Sequence, residues 1–130
     1  MLFRGYKYTY NLNAYHDISP NLNNNHRHTF SIVLYISYID ASVFSTYSNI
    51  EKKLNAFLDK FQEKKLNDCE LLKGITPTLE NIADIFFIKL SEIINGDIFQ
   101  LEKISISDNL LSWVSTSRAI IPGNCINIIR

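Results

Sequence analysis

The chain has 130 residues, and its 13 basic and 13 acidic side chains cancel at neutral pH. This length predicts one domain around a single core, residues 1–130, and the scattered Lys and Arg lack the basic stripe of a nucleic-acid-binding protein. The N-terminus lacks the pattern of a secretory signal, and no apolar run reaches the roughly 20 residues that cross a bilayer. We therefore expect a soluble cytoplasmic protein, with neither nucleic acid nor membrane as a partner.

The first third of the chain has the period-2 pattern of two strands. Positions 6–16 alternate between a mainly apolar even set, which begins with three tyrosines and ends at His16, and a polar odd set, which predicts a strand with one buried face. Residues 17–25 are dense in turn formers and predict a loop. Residues 28–39 alternate again, with His28 in the apolar set, and predict the second strand.

Two helical patterns follow, each with a start signal. Ser48 and Glu51 form a capping box ahead of apolar residues at helical spacing, which predicts a helix over residues 49–64. Thr76-Pro77-Thr78 offers a capping hydroxyl and a first-turn proline for a second helix that Gly96 stops. Residues 98–107 alternate as a third strand, and residues 113–121 predict a fourth.

The order β-β-α-α-β-β predicts an α+β fold, in which an antiparallel four-stranded sheet carries two helices on one face. Such a sheet has a second face that needs cover, and the even face of the first strand is rich in tyrosine. Self-association of the sheet, with several subunits closing a barrel, would remove its edges and cover the exposed face. We therefore expect a homo-oligomer.

The chain has three histidines, His16, His26 and His28, and they fall within thirteen residues. His26 and His28 are two positions apart on a strand, so both leave the same face, and a hairpin brings His16 alongside. Three imidazoles with one open position are typical of catalytic zinc. The alternative is a solvated loop that happens to be flanked by histidines.

Four short motifs resemble the 6-pyruvoyl- and 6-carboxytetrahydropterin synthases, a family of zinc lyases with the tunnelling fold. Residues 13–16, Asn-Ala-Tyr-His, resemble the family's F-x-A-x-H strand end, and residues 26–28, His-Arg-His, resemble its His-Gly-His. Residues 77–83 match its Pro-Thr-x-Glu-Asn-x-Ala at the start of the second helix, and Asp108-Asn109 stand where it has Glu-Thr after the third strand.

The resemblance implies that His16, His26 and His28 bind Zn²⁺, which holds the side-chain oxygens of a dihydroneopterin triphosphate and stabilises an enediolate-like intermediate as a Lewis acid. It also implies a hexamer and a carboxylate, Asp108, that accepts the paired N–H donors of the pterin ring. Aspartate is one methylene shorter than the family's glutamate. The alternative role for Asp108 is that of a turn former with Asn109.

The departures from the family fall on its proton-transfer residues. Leu22 stands at the position of the catalytic cysteine, and Gln62-Glu63 stands at that of an Asp-His pair. Glu63 could act as a general base only if burial raised its pKa toward neutrality; otherwise it is a solvated residue at a helix end. Arg27 replaces the glycine between two histidines, and it either binds substrate phosphate near the zinc or points to solvent.

These features lead to three hypotheses. The first is a divergent lyase on a pterin triphosphate, with Glu63 or a bound water replacing the lost base. The second is a non-catalytic or repurposed homologue that keeps the zinc site and binds a pterin or purine. The third is a structural sheet protein whose histidines bind nothing. The loss of the whole relay favours the second over the first.

Overall fold

The computed structural model describes residues 4–18, 26–39 and 44–118, and for His26, Phe44 and Ser45 it describes the backbone alone. Four strands form one antiparallel sheet in the order β1-β2-β3-β4. The elements in chain order are β1 (Gly5–His16), β2 (His26–Tyr38), α1 (Phe44–Asp59), α2 (Leu79–Ile94), β3 (Phe99–Ser107) and β4 (Val114–Ser117), with two single-turn 3-10 helices at Leu66–Asp68 and Glu70–Leu72. The predicted α+β class and element order are confirmed.

The core lies between the even face of β1 and β2 and the two helices. Leu12, Phe30 and Leu34 on the sheet are at most 1% exposed, and so are Leu54 of α1 and Phe86 of α2. This follows from the alternation in the sequence, because even positions on both strands are apolar and successive side chains point to opposite faces.

The tyrosines of β1 belong to this covered face. The Tyr6 ring stacks on Tyr47 of α1 with 3.6 Å between centroids, the Tyr8 hydroxyl donates to Asn55, and Tyr10 donates to Asp59. Burial raises the pKa of Tyr8 above its ordinary value. The tyrosine-rich face is therefore covered by the chain's own helix.

The opposite face of the sheet points away from the two helices. It carries a polar set of side chains at the odd positions of β1 and β2, including Asn11, Asn13, Thr29 and Ser31, with hydrogen bonds from Thr29 to Asn13 and from Ser31 to Asn11. A partner on this face would meet these amides and hydroxyls and also the Tyr35 ring, with Lys103 Nζ 4.6 Å from the ring centroid.

Helix α1 differs from its prediction at both ends. It begins at Phe44 instead of residue 49 and ends at Asp59 instead of residue 64, so the Ser48 and Glu51 pair lies inside the helix and does not start it. The early end has a tertiary cause. Glu63 adopts a left-handed φ of 59°, its N–H donates to the Asn13 carbonyl at 2.6 Å, and the Tyr15 N–H donates to the Lys64 carbonyl at 2.9 Å. Pairing with the edge of β1 replaces the last helical turn.

Helix α2 has the predicted threonine cap, but Pro77 lies one residue before that cap and not in the first turn as predicted. Thr78 is the N-cap, and its hydroxyl accepts from the Asn81 N–H at 3.1 Å. The helix ends at Ile94, two positions before Gly96. Strand β4 runs from Val114 to Ser117, and the predicted continuation to residue 121 passes beyond residue 118, where the description of this region ends. Residues 19–25 of the predicted loop, Leu22 among them, also lie outside the described residues. Within the described parts, neither helix is long and apolar enough to span a membrane.

Candidate metal centre

His16 ends β1 and is 3% exposed. Its Nδ1 lies 2.8 Å from the carbonyl oxygen of Pro77. Since a carbonyl can only accept, the neutral ring carries its proton on Nδ1, and Nε2 keeps the lone pair that a metal requires. Pro77 opens the Pro-Thr-x-Glu-Asn motif, so this motif orients the first histidine of the site.

His28 lies on the neighbouring strand, where β2 pairs it with Ala14. The His16 and His28 rings are 4.8 Å apart between centroids and perpendicular to each other. Both contact Phe30, which is 1% exposed, at centroid distances of 5.0 Å and 5.9 Å. The two imidazoles therefore contact each other and the Phe30 ring at one end of the sheet.

Asp108 completes the cluster from the turn after β3. One donor atom from each of His16, His28 and Asp108 lies within 4.8 Å of the other two. The turn itself is held by its neighbours, because Ser107 Oγ accepts from the Leu110 N–H at 2.8 Å and Asn109 Oδ1 accepts from the Leu111 N–H at 2.8 Å. Ser107 and Asn109 thus supply the side-chain acceptors of the turn.

The three donors fit a zinc ion chemically. Imidazole nitrogen and carboxylate oxygen are both common zinc ligands, and the His16 ring has the outer hydrogen bond that orients ligating histidines. Tetrahedral bonds of about 2.0–2.2 Å place two ligand atoms about 3.3–3.6 Å apart. Donor atoms at the 4.8 Å limit therefore have to approach each other by about 1.2–1.5 Å around a bound tetrahedral ion.

His26 was predicted as the third imidazole ligand. The backbone pairs His26 with His16 across β1 and β2, but its side chain lies outside the described part of the chain. Its role as a ligand therefore stays a prediction.

Glu63 and Arg27 form an ion pair with each other. Arg27 Nε lies 3.0 Å from one Glu63 oxygen and its terminal nitrogen 2.8 Å from the other, and both side chains are about half exposed, at 46% and 54%. The hydrogen bond from Arg27 lowers the pKa of Glu63, so the raised pKa that a general base requires is not met. Arg27 alternates with His28 along β2 and so belongs to the other face of the sheet.

Gln62, at the position of the family's proton relay, has a structural role that the sequence did not reveal. Its amide nitrogen, Nε2, donates to the Tyr10 hydroxyl and to the Asn11 carbonyl, both at 2.9 Å, and its Oε1 accepts from the Asn13 N–H at 3.0 Å. Three bonds thus fasten the turn after α1 to β1.

Asn67 is a second residue whose role sequence analysis missed. Its Oδ1 accepts from the Asp17 N–H at 2.9 Å and its Nδ2 donates to the Asp17 carbonyl at 3.0 Å. Lys65 adds an ion pair to Asp17 at 3.1 Å. These contacts hold the residue directly after His16. The signal in the sequence is a polar run after the first helix, which by itself predicts only a loop.

The fold and the cluster together define a class of protein: an α+β sheet protein with a histidine and carboxylate site at the ends of adjoining strands. A sequence model described as 6-pyruvoyl tetrahydropterin synthase matches residues 6–119. The chain belongs to this family, which confirms the resemblance seen in its motifs.

A solved structure supports the fold independently. The structure of 6-pyruvoyl tetrahydropterin synthase from Caenorhabditis elegans superposes with a TM-score of 0.76 over 92% of this chain and 98% of that chain, at 19% sequence identity. No curated protein matches the chain by sequence. At this identity the structural likeness establishes the architecture alone.

Proposed function

We propose that this chain is a zinc-binding member of the family that has lost the standard lyase turnover and retains a site for a pterin- or purine-like small molecule. The observation that carries the proposal is the convergence of His16, His28 and Asp108 within 4.8 Å. His26 is the third imidazole in this proposal, as the family resemblance implies.

The chemistry of the site supports metal binding. His16 is buried, and its Nδ1 lies within hydrogen-bond distance of the Pro77 carbonyl, which leaves the lone pair of the neutral ring on Nε2. A bound zinc ion supplies Lewis-acid polarisation of ligand oxygens. The neutral imidazoles and the carboxylate offer both the nitrogen and the charge that Zn²⁺ binds in proteins.

Two observations support the loss of turnover. Gln62 uses its amide to hold β1 and carries no titratable proton, and Glu63 is held as a carboxylate by Arg27. A proton relay needs a group whose pKa lies near the working pH. Neither residue at the family's relay position meets that requirement, and the phosphate-binding role expected for Arg27 gains no support from its pairing with Glu63.

A triphosphate-release assay tests this function. Zinc-loaded protein is incubated with dihydroneopterin triphosphate, with and without chelator, and neopterin binding is followed by its fluorescence. We expect bound zinc and neopterin binding without chelator-sensitive triphosphate release. Chelator-sensitive release would instead establish the divergent lyase, and folded protein with no affinity for zinc would leave only the structural sheet protein.

We also propose a cytoplasmic homo-oligomer, a hexamer by family resemblance. Strand β1 is an outer strand of the sheet, and residues 62–65 bond to its second half, at Asn11, Asn13 and Tyr15. Among the described residues, no backbone hydrogen bond from another segment reaches the outer edge of β1 from Gly5 to Tyr10. Such an edge is normally paired or covered. Light scattering of the purified chain tests the proposal, and a monomer at micromolar concentration would contradict it.

A further inference from the structure

The position of Asp108 admits two roles, acceptor for a ligand ring or ligand of the metal. We infer that Asp108 is a metal ligand, so that the site joins a carboxylate to the imidazoles of His16 and His28. This inference rests on the proposed zinc binding, and it departs from the ring contact that the family resemblance implies for this residue.

The sheet register places Asp108 beside the histidines. Strand β3 pairs Ile106 with Ile32 of β2, so continuing the same register by two residues brings position 108 level with Phe30. Phe30 pairs with Leu12, and His28 with Ala14. Position 108 shares the even, core-facing parity with His28 and His16, and it stands one strand further along the sheet.

The turn after β3 holds the backbone of Asp108 in position. Ser107 is fully buried and its hydroxyl accepts from two backbone N–H groups, those of Asn109 at 3.2 Å and Leu110 at 2.8 Å. Asn109 accepts from the N–H groups of Leu111 and Ser112. With both neighbours of Asp108 anchored, its backbone has little freedom to carry the carboxylate away from the two rings.

The length of the Asp108 side chain favours its role as a metal ligand over its role as an acceptor for a ligand ring. The family's glutamate would carry its carboxylate about 1.5 Å farther from the backbone, one carbon–carbon bond more. The shorter aspartate places one carboxylate oxygen within 4.8 Å of a nitrogen of each imidazole.

Metal binding by an Asp108→Asn variant tests the inference. The amide keeps the shape of the side chain but is a much poorer zinc ligand, so zinc affinity, measured by competition with a chromophoric chelator, should fall by about 100-fold or more, beyond the usual effect of an outer-shell change. The visible spectrum of the Co²⁺-substituted protein should change as well, because it reports the ligand set. Asp97→Asn, which removes an exposed carboxylate elsewhere, is the matched control and should match the wild type.

An Asp108→Glu variant separates the two roles. As a metal ligand, the longer side chain is misplaced, so zinc affinity should fall; as a ring acceptor, it restores the family residue, so neopterin affinity should rise. The inference would be overturned if Asp108→Asn kept the zinc affinity and the Co²⁺ spectrum of the wild type and lost neopterin binding. That result would leave the proposed zinc binding intact. A wild-type protein that binds no zinc would instead defeat the proposed function itself. Circular dichroism confirms that each variant is folded.

Discussion

Asn67 offers the sharpest test of how the chain holds its metal-binding histidine in place. It makes two hydrogen bonds to the backbone of Asp17, the residue directly after His16. Asn67→Ala removes both bonds. At roughly 0.5–1.5 kcal/mol each, we expect the free energy of unfolding to fall by about 1–3 kcal/mol.

The same substitution should weaken zinc binding, because His16 loses part of the support for its strand end. Loss of an outer-shell contact typically costs 10–100-fold in metal affinity, and we expect about 10-fold here, since the Pro77 carbonyl still orients the ring. Urea unfolding of the metal-free chain measures the stability, and chelator competition measures the zinc affinity. Asn49→Ala, an exposed asparagine on α1, is the control and should leave both nearly unchanged.

A drop in stability with unchanged zinc affinity would refute this reasoning. It would mean that the Pro77 contact alone positions His16, and that the junction of Asp17 with Asn67 stabilises the fold without contributing to the site.

Three further predictions concern the fold and the replaced relay. Burial raises the pKa of Tyr47 from its ordinary value of 10 to about 12, so the neutral hydroxyl favours the folded state below pH 10. As the pH rises from 10 to 12, the free energy of unfolding should fall by up to about 2–3 kcal/mol from this group. In Tyr47→Phe the free energy of unfolding should fall less over the same interval. Glu63→Gln should change zinc affinity less than about threefold, since exposed ion pairs contribute little; a large loss in chelator competition would restore a role for Glu63 at the site. Phe86→Ala, at a fully buried position against Phe61, should cost about 3–5 kcal/mol in urea unfolding, and a loss below about 1 kcal/mol would contradict the assigned core.

Sequence periodicity predicted which face of the sheet packs on the helices and which histidines share that face. Both depend on whether a strand residue occupies an even or an odd position. His16 and His28 both occupy even positions, on strands that a single hairpin joins, so their placement on one face follows from the alternation of side chains. The Thr78 cap was likewise predictable, since it depends on a hydroxyl three positions before the N–H that it accepts from.

The features that escaped prediction depend on distant contacts. Helix α1 ends early because Glu63 and Lys64 bond to β1, some fifty positions back in the chain. The carbonyl that orients His16 comes from Pro77, 61 positions away. The closeness of Asp108 to the imidazoles depends on the register between β2 and β3, which the sequence pattern alone leaves open.

The central claim is that His16 and His28 hold a metal ion, and zinc stoichiometry after equilibrium dialysis at buffered free zinc tests it most directly. We predict one zinc ion per wild-type chain and none in a folded His16→Asn/His28→Asn double variant. Equal zinc content in the two proteins, or none in the wild type, would contradict the account.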